Sequence, residues 1–251
     1  MMQFGVVRQE SHVDWRRVCS VIAVVLLLSL AATDALALTI HRARSGDLTE
    51  CPDLACAAAG GPGVASFPIG GSDGDAIAAD ASQFYRARNG RLFIYTDPAG
   101  AANGTASGAG YVTDINWDGG NDDALATDGT LFYRVRNGRL FTYTDVAGAA
   151  IGTASGTGYV SDINWDGADD DALAADGTSV FRVRGGTLYE YALADLADAA
   201  VTGGTPLSTT SWSGSNGDGI AALVPEPGTA MLLGIALGAF GLRSRRSTAQ
   251  S

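Results

Sequence analysis

A repeat constrains this chain more than any other feature. Asp75, Asp123 and Asp171 open the near copies DAIAAD, DALATD and DALAAD, so the period is 48 residues (123 − 75 and 171 − 123). Residues 75–122 and 123–170 differ at 13 of 48 positions, which marks a recent duplication. A unit of this size cannot bury its hydrophobic face alone and must stack on its neighbours. Within the second unit DALATD, TLFYRVR, GRLFTYTD and GYVSDIN read as strands, and Asn137-Gly138 between the middle two is a hairpin turn. The third copy keeps SVFRVR, GTLYEYAL and PLSTTSW.

A fourth copy is divided between the ends. TIHRARSGDLTEC at 39–51 aligns without a gap on QFYRARNGRLFIY at 83–95, but no DALAAD strand precedes it. The matching piece, DGIAAL at 218–223, stands alone after the third copy. Complementary ends suit a closed ring, in which the first and last strands share one sheet and no sheet edge gapes at the join. The expected fold is therefore all-β, a four-bladed β-propeller over residues 38–223 closed by pairing of the N- and C-terminal strands. A β-trefoil needs three units, and an open solenoid leaves the divided copy unexplained. The Gly/Ala-rich DVAGAAIGTASGTG is expected as a blade-edge loop.

Charge narrows the partners. The chain has 27 acidic and 16 basic residues, a net charge of −11, and every basic residue is Arg. Phosphate-backbone contacts need clustered cations, so nucleic acid is excluded as a partner. Of the acids 23 are Asp and 4 are Glu, a choice that favours turns and cation chemistry over helix surfaces.

The ends read as addresses. Arg16 and Arg17, an apolar run over 18–32 and the small-x-small Ala35-Leu36-Ala37 predict a signal peptide over 1–37, exported by the Sec route and removed by signal peptidase. A retained N-terminal anchor is the alternative. Export leaves Cys51 and Cys56 as an even pair in an oxidising compartment, where a local disulfide is expected. At the other end, Val224-Pro225-Glu226-Pro227 precede an uncharged run over 228–242 and then Arg243, Arg245 and Arg246. That run forms a helix of about 22 Å, short against a hydrocarbon core of about 30 Å. The arginines place the extreme C-terminus in the cytoplasm.

This order of features over 224–251 resembles the PEP-CTERM sorting signal of exopolysaccharide-producing bacteria. The resemblance implies an exosortase as partner, processing at or near the Pro-Glu-Pro element, transient inner-membrane anchoring, and delivery to the cell surface or matrix. A simple tail anchor is the alternative.

Two inter-strand stretches carry the candidate metal sites. DINWDGGNDD sets Asp114, Asn116, Asp118 and Asp122 at positions 1, 3, 5 and 9, and DINWDGADDD repeats them as Asp162, Asn164, Asp166 and Asp170. Calcium takes six to eight oxygen ligands, which alternating short carboxyl and amide side chains around a Gly turn can supply. The alternative is that they cap a turn through bonds to the backbone. Strand, DxNxDGxxD loop and strand resemble the FG-GAP or VCBS-type calcium repeats of extracellular propellers. In that family the loop joins two strands of one blade, which implies closure by two C-terminal and two N-terminal strands. An extra Asp, Asp123 or Asp171, follows the ninth position and departs from the family pattern.

Each unit also carries Arg-x-Arg, as Arg42 and Arg44, Arg86 and Arg88, Arg134 and Arg136, Arg182 and Arg184. Alternation along a strand puts both members of a pair on one face. They either pair with acids such as Asp80, Asp128 and Asp176, or line a cationic face for anionic glycan or carboxylate ligands, with Arg86, Arg88, Arg134 and Arg136 as that face. Trp117, Trp165 and Trp212 recur once per unit and are expected to pack between blades. From residue 38 onward there is no Lys, one His and no nucleophile motif, so a non-enzymatic role is expected. The expected function is a calcium-stabilised surface module that binds extracellular polysaccharide or a surface protein. The alternatives are a structural matrix component without a specific ligand and, behind it, a glycan-processing enzyme.

Overall fold

The computed structural model describes residues 38–72, 74–201 and 204–223. The expected signal peptide, and the sorting motif with Val224, Pro225, Glu226, Pro227, Arg243, Arg245, Arg246 and its membrane helix, lie outside the described residues. Among the described residues no helix is long and apolar enough to cross a membrane.

Among the described residues sixteen strands form four antiparallel four-stranded sheets. The first blade holds β1 (Thr39–Arg44), β2 (Asp47–Cys51), helix α1 (Leu54–Ala59) and β3 (Ala65–Pro68). The second holds β4 (Ile77–Ala79), β5 (Phe84–Arg88), β6 (Arg91–Tyr95), α2 (Pro98–Asn103) and β7 (Tyr111–Asn116). The third holds β8 (Leu125–Thr127), β9 (Phe132–Arg136), β10 (Arg139–Tyr143), α3 (Val146–Ile151) and β11 (Tyr159–Asn164). The fourth holds β12 (Leu173–Ala175), β13 (Ser179–Arg184), β14 (Thr187–Ala192), α4 (Leu196–Ala200) and β15 (Ser208–Ser211). The last strand, β16 (Ile220–Leu223), returns to the first blade and pairs with β1 in the register Thr39↔Leu223 to Arg42↔Ile220.

The innermost strands β16, β4, β8 and β12 each touch the next around a common axis, so the ring is shut. The join uses one C-terminal and three N-terminal strands, not the two and two that the FG-GAP-type resemblance implied. The reason is where the acidic loop runs. It connects the outer strand of one blade to the inner strand of the next, as from β7 to β8, rather than two strands of one blade.

Local chemistry explains the blade. Asn89-Gly90 and Asn137-Gly138 both have positive φ (52° and 69°, 52° and 68°), the geometry that matches a two-residue turn to strand twist. The segment DVAGAAIGTASGTG, expected as a loop, opens with helix α3. Asp145 caps its first turn by accepting from the Ala147 amide, and Gly152 ends it at φ 68°. Its Ala149 and Ala150 are buried. The core is interblade: Tyr85, Leu92 and Trp117 of the second blade pack in one cluster with Leu125, Phe141 and Tyr143 of the third.

Candidate functional site

Four arginines sit at the four blade junctions. Arg86 and Arg134 are 0 % exposed, and Arg42 and Arg182 are 1 % exposed. Arg134 Nη1 donates to the Ala149 and Ala150 carbonyls at 2.8 and 2.7 Å, at the C-terminal end of α3. Its Nη2 donates to the Asp118 carbonyl of the preceding blade's exit loop at 2.5 Å and to Asp123 Oδ2 at 2.7 Å. One side chain thus ties a helix end, an incoming loop and the start of an inner strand. The free carbonyls and negative end of a helix favour a cation there.

The other blades repeat this arrangement. Arg86 bonds the Ala101 and Ala102 carbonyls, the Gly70 carbonyl and Asp75. Arg182 bonds the Ala199 carbonyl, the Asp166 carbonyl and Asp171. Arg42 bonds the Ala57 and Ser213 carbonyls and pairs with Asp218 at 2.7 Å, across the ring's join. Parallel to these, the Gly70, Asp118, Asp166 and Ser213 amides donate to the Ala102, Ala150, Ala200 and Ala58 carbonyls, so every junction carries the same backbone bond. Three of the arginines also lie over an indole: Arg42 on Trp212, Arg134 on Trp117 and Arg182 on Trp165, at 3.6, 3.6 and 3.8 Å from the ring centroids. At the junction of Arg86 the position of the indole is held by Ile69, from the exit of the first blade.

The acids anticipated as partners are the wrong ones. Asp80, Asp128 and Asp176 cap the next turn by accepting amide bonds, and the Tyr85 and Tyr133 hydroxyls donate to Asp80 and Asp128. The true partners are Asp75, Asp123, Asp171 and Asp218. The Asp opening each DALAAD element lies beside the arginine, one strand inward. Burial pushes the carboxyls of Asp75, Asp123 and Asp171 up, and their arginines oppose that shift. A guanidinium is not deprotonated in proteins, so it keeps its charge.

This geometry also corrects the reading of a cationic ligand face. Arg86 and Arg134 are sealed inside the junctions and offer an external ligand no donor. Arg88 and Arg136 lie further out. Arg88 Nη1 donates to the Asn103 carbonyl at 2.5 Å, and Arg136 Nη1 reaches Asp118 Oδ2 at 3.2 Å.

The candidate calcium quartets are spread along the radius of the ring. Asp114 and Asn116 lie on β7, where Asp114 Oδ2 accepts from Arg91 Nε and Asn116 Oδ1 from Arg91 Nη1 at 2.7 Å. The Tyr111 hydroxyl, followed by Arg91, holds the Asp114 carboxyl below its usual range. Asp118 pairs with Arg136, which lowers it likewise. Asp122 instead reaches the axial opening. The second quartet is arranged alike: Asp162 and Asn164 face Arg139, Asp166 pairs with Arg184 at 3.6 Å, and Asp170 reaches the axis. Among the described residues no three His, Cys, Asp or Glu side chains converge where a metal ion could sit. In this arrangement neither quartet forms a calcium cage: three of its members face guanidinium groups and the fourth stands apart at the axis.

Two cavities among the described residues bear on ligand binding. The axial one, lined by Asp75, Asp122, Asp170, Gly74 and Gly217, has a volume of only about 20 Å³, room for a water. The second opens on the first blade and has a volume of about 290 Å³. Beside it Cys51 and Cys56 form a disulfide with a Cα–Cα distance of 5.5 Å.

Comparison with known proteins agrees with the C-terminal motif. No curated protein matches the chain. Among solved structures, Hsv2 of Kluyveromyces lactis aligns at 8 % identity and TM-score 0.31, over 55 % of this chain and 36 % of its own. PorZ of Porphyromonas gingivalis, described as an essential surface component of the type-IX secretion system, aligns at 13 % identity and TM-score 0.35, over 74 % of this chain and 21 % of its own. The chain thus spans about a third and about a fifth of the length of these two structures. Residues 223–246 match the PEP-CTERM protein-sorting motif, so the protein joins a four-bladed propeller to the sorting motif of exosortase substrates.

Proposed function

We propose that this is an exported protein whose leader is removed by signal peptidase and whose tail is processed by an exosortase, leaving the propeller at the cell surface or in the matrix as a glycan- or protein-binding module. The observation that carries this reading is the sorting motif beginning at Leu223, the residue that completes the last strand of a shut ring. A ring whose closing strand ends where the motif begins keeps its own fold on either side of cleavage in the tail. The propeller acts by binding, not by catalysis, and needs no resident metal. Arg86, Arg134 and Arg182, with Asp75, Asp123 and Asp171, are consumed in joining the blades, so a ligand must be met elsewhere on the surface.

The test is fractionation of a host that carries an exosortase, expressing the full chain or a variant with Pro225, Glu226 and Pro227 each changed to Ala. The parent chain is expected outside the cell in a shortened form, and the variant in the membrane at full length. Equal release of both would overturn the sorting half of the proposal. A glycan array probed with the full chain tests the binding half. Arg44 borders a cavity on the first blade where such a ligand can be met.

A further inference from the structure

We propose that the first blade holds a binding site for a small carboxylate-bearing ligand rich in hydroxyls, of the size of one acidic sugar ring. The proposal rests on the binding-module reading above and gives it a location. The first blade differs from the other three in the side chains and the connection that fill this place.

At the end of the third strand counted from the axis, the other blades carry Tyr95, Tyr143 and Tyr191, all buried. The first blade has Cys51 there. Two residues earlier Phe93, Phe141 and Tyr189 correspond to Thr49. The connection from the helix to the outer strand is also shorter. Glu50 pairs with Ala65 as Ile94 pairs with Thr113, so the distance from helix end to that rung is 6 residues (65 − 59) against 10 (113 − 103). Two rings and four residues are missing, and a cavity of about 290 Å³ lies where they are missing.

Its wall is polar. It includes Arg42, Arg44, Ser45, Asp47, Thr49 and Gly60. Arg136 and Arg184, the counterparts of Arg44, meet Asp118 and Asp166. For Arg44 the corresponding position is Ser213, whose hydroxyl takes one bond from Nη1 at 2.9 Å. Among the described residues its other donors have no partner and no carboxylate lies within ion-pair distance of it, although Asp47 stands opposite it on the neighbouring strand. A Cβ on Gly60 would overlap Arg44 Nη1, so the guanidinium reaches its place only because that residue is glycine.

A planar fork of free N–H donors is matched by a carboxylate. Asp47 on the same wall repels a ligand that is only anionic and accepts from one that also carries hydroxyls. Thr49 and Ser45 add further hydroxyl partners. The volume stands at the low end of ligand pockets, which begin near 300 Å³, and admits one ring rather than an oligosaccharide.

The experiment is calorimetric titration of the full-length chain with D-galacturonate, D-galactose and sulfate. Saturable binding of galacturonate is expected, with galactose and sulfate at least about tenfold weaker, the ratio worth about 1.4 kcal/mol. Arg44→Gln should weaken galacturonate at least tenfold, whereas Arg88→Gln, the same position in the second blade, should leave it unchanged. Thr49→Phe, which restores the second blade's ring, should abolish binding. Melting temperature, read on every variant, keeps a folding defect from passing as lost binding, and Arg44→Gln settles the matter alone if the Phe variant does not fold. Absence of saturable galacturonate binding, or an Arg44→Gln variant that binds like the parent, overturns the site. If the glycan array is positive while galacturonate fails, the module binds elsewhere and only this location is wrong.

Discussion

Arg134 lies over the indole of Trp117, its guanidinium carbon 3.6 Å from the ring centroid, and the two residues belong to different blades. The stack is part of a junction in which one buried cation answers a helix end, a loop carbonyl and Asp123 together. Blade attachment therefore depends on a polar side chain as well as on apolar packing.

Removing that cation strands a buried carboxylate. Arg134→Ala should lose about 3–5 kcal/mol in urea unfolding at neutral pH. Adding Asp123→Asn should recover part of the loss, because the charge left behind is then gone. A double-mutant cycle between Trp117→Leu and Arg134→Met should give a coupling of about 0.5–2 kcal/mol. The equivalent cycle between Ile69 and Arg86 should give less, since no indole lies over Arg86.

The ring should lose stability in mild acid through His41. This side chain is 2 % exposed, neither ring nitrogen has a hydrogen-bond partner among the described residues, its ring centroid lies 4.9 Å from that of Phe84, and Glu50 is 4.0 Å away. Burial lowers its pKa from 6.5 to about 4. Between those values the unfolded chain binds a proton that the folded chain does not, so stability is full above about pH 6.5 and falls as pH drops toward 4, by roughly 3 kcal/mol. Asp75, Asp123 and Asp171, raised by burial, act with the opposite sign near the bottom of this window. Denaturation midpoints measured from pH 7 to 4 should fall for the parent chain and stay flatter for His41→Phe.

Chelation should leave the protein unmoved. The oxygens of Asp114 and Asn116 are met by Arg91, and those of Asp162 and Asn164 by Arg139. Melting temperature with calcium and with excess EDTA should therefore agree. Arg91→Ala and Arg139→Ala should reduce stability by at most about 1 kcal/mol each, since these are partly exposed pairs. A rise of several degrees on adding calcium would show that the carboxylates regroup around the ion.

Reduction should be felt in the first blade. The Cys51–Cys56 bond closes a short loop, for which the chain-entropy estimate is about 2 kcal/mol. Cys56→Ser should lower the free energy of unfolding by that amount, read from denaturant titration. Tyr95 and Tyr143 hold the same position in the next two blades by donating to the Thr105 and Thr153 carbonyls, and they need no covalent tie.

The architecture was legible because it rests on period and on end complementarity. The displaced DGIAAL element pointed to the pairing that β16 makes with β1. The quartets are not gathered at one point in this arrangement, because spacing gives order along the chain and not direction in space. A strand followed by a radial crossing carries Asp114 and Asp122 to opposite ends of the path, where a compact loop would have gathered them. Strand alternation put both arginines of each pair on one face. It left open how deep each one sits, which is decided by the helix lying across that face. Neither periodicity nor composition announces this helix, since VAGAAI is only six residues long. The cavity of the first blade was readable in principle as Thr49 and Cys51 against Phe93 and Tyr95, once the gapless alignment is followed one residue at a time.

The register Thr39↔Leu223 has a mechanical meaning. The chain enters and leaves the ring at one end of a single antiparallel pair, so tension between the two ends opens its hydrogen bonds one after another, as a zip fastener opens, and does not shear them as a row. A molecule held by one end alone carries no such load. Pulled from both ends, it would give way first at this seam, long before any blade came apart.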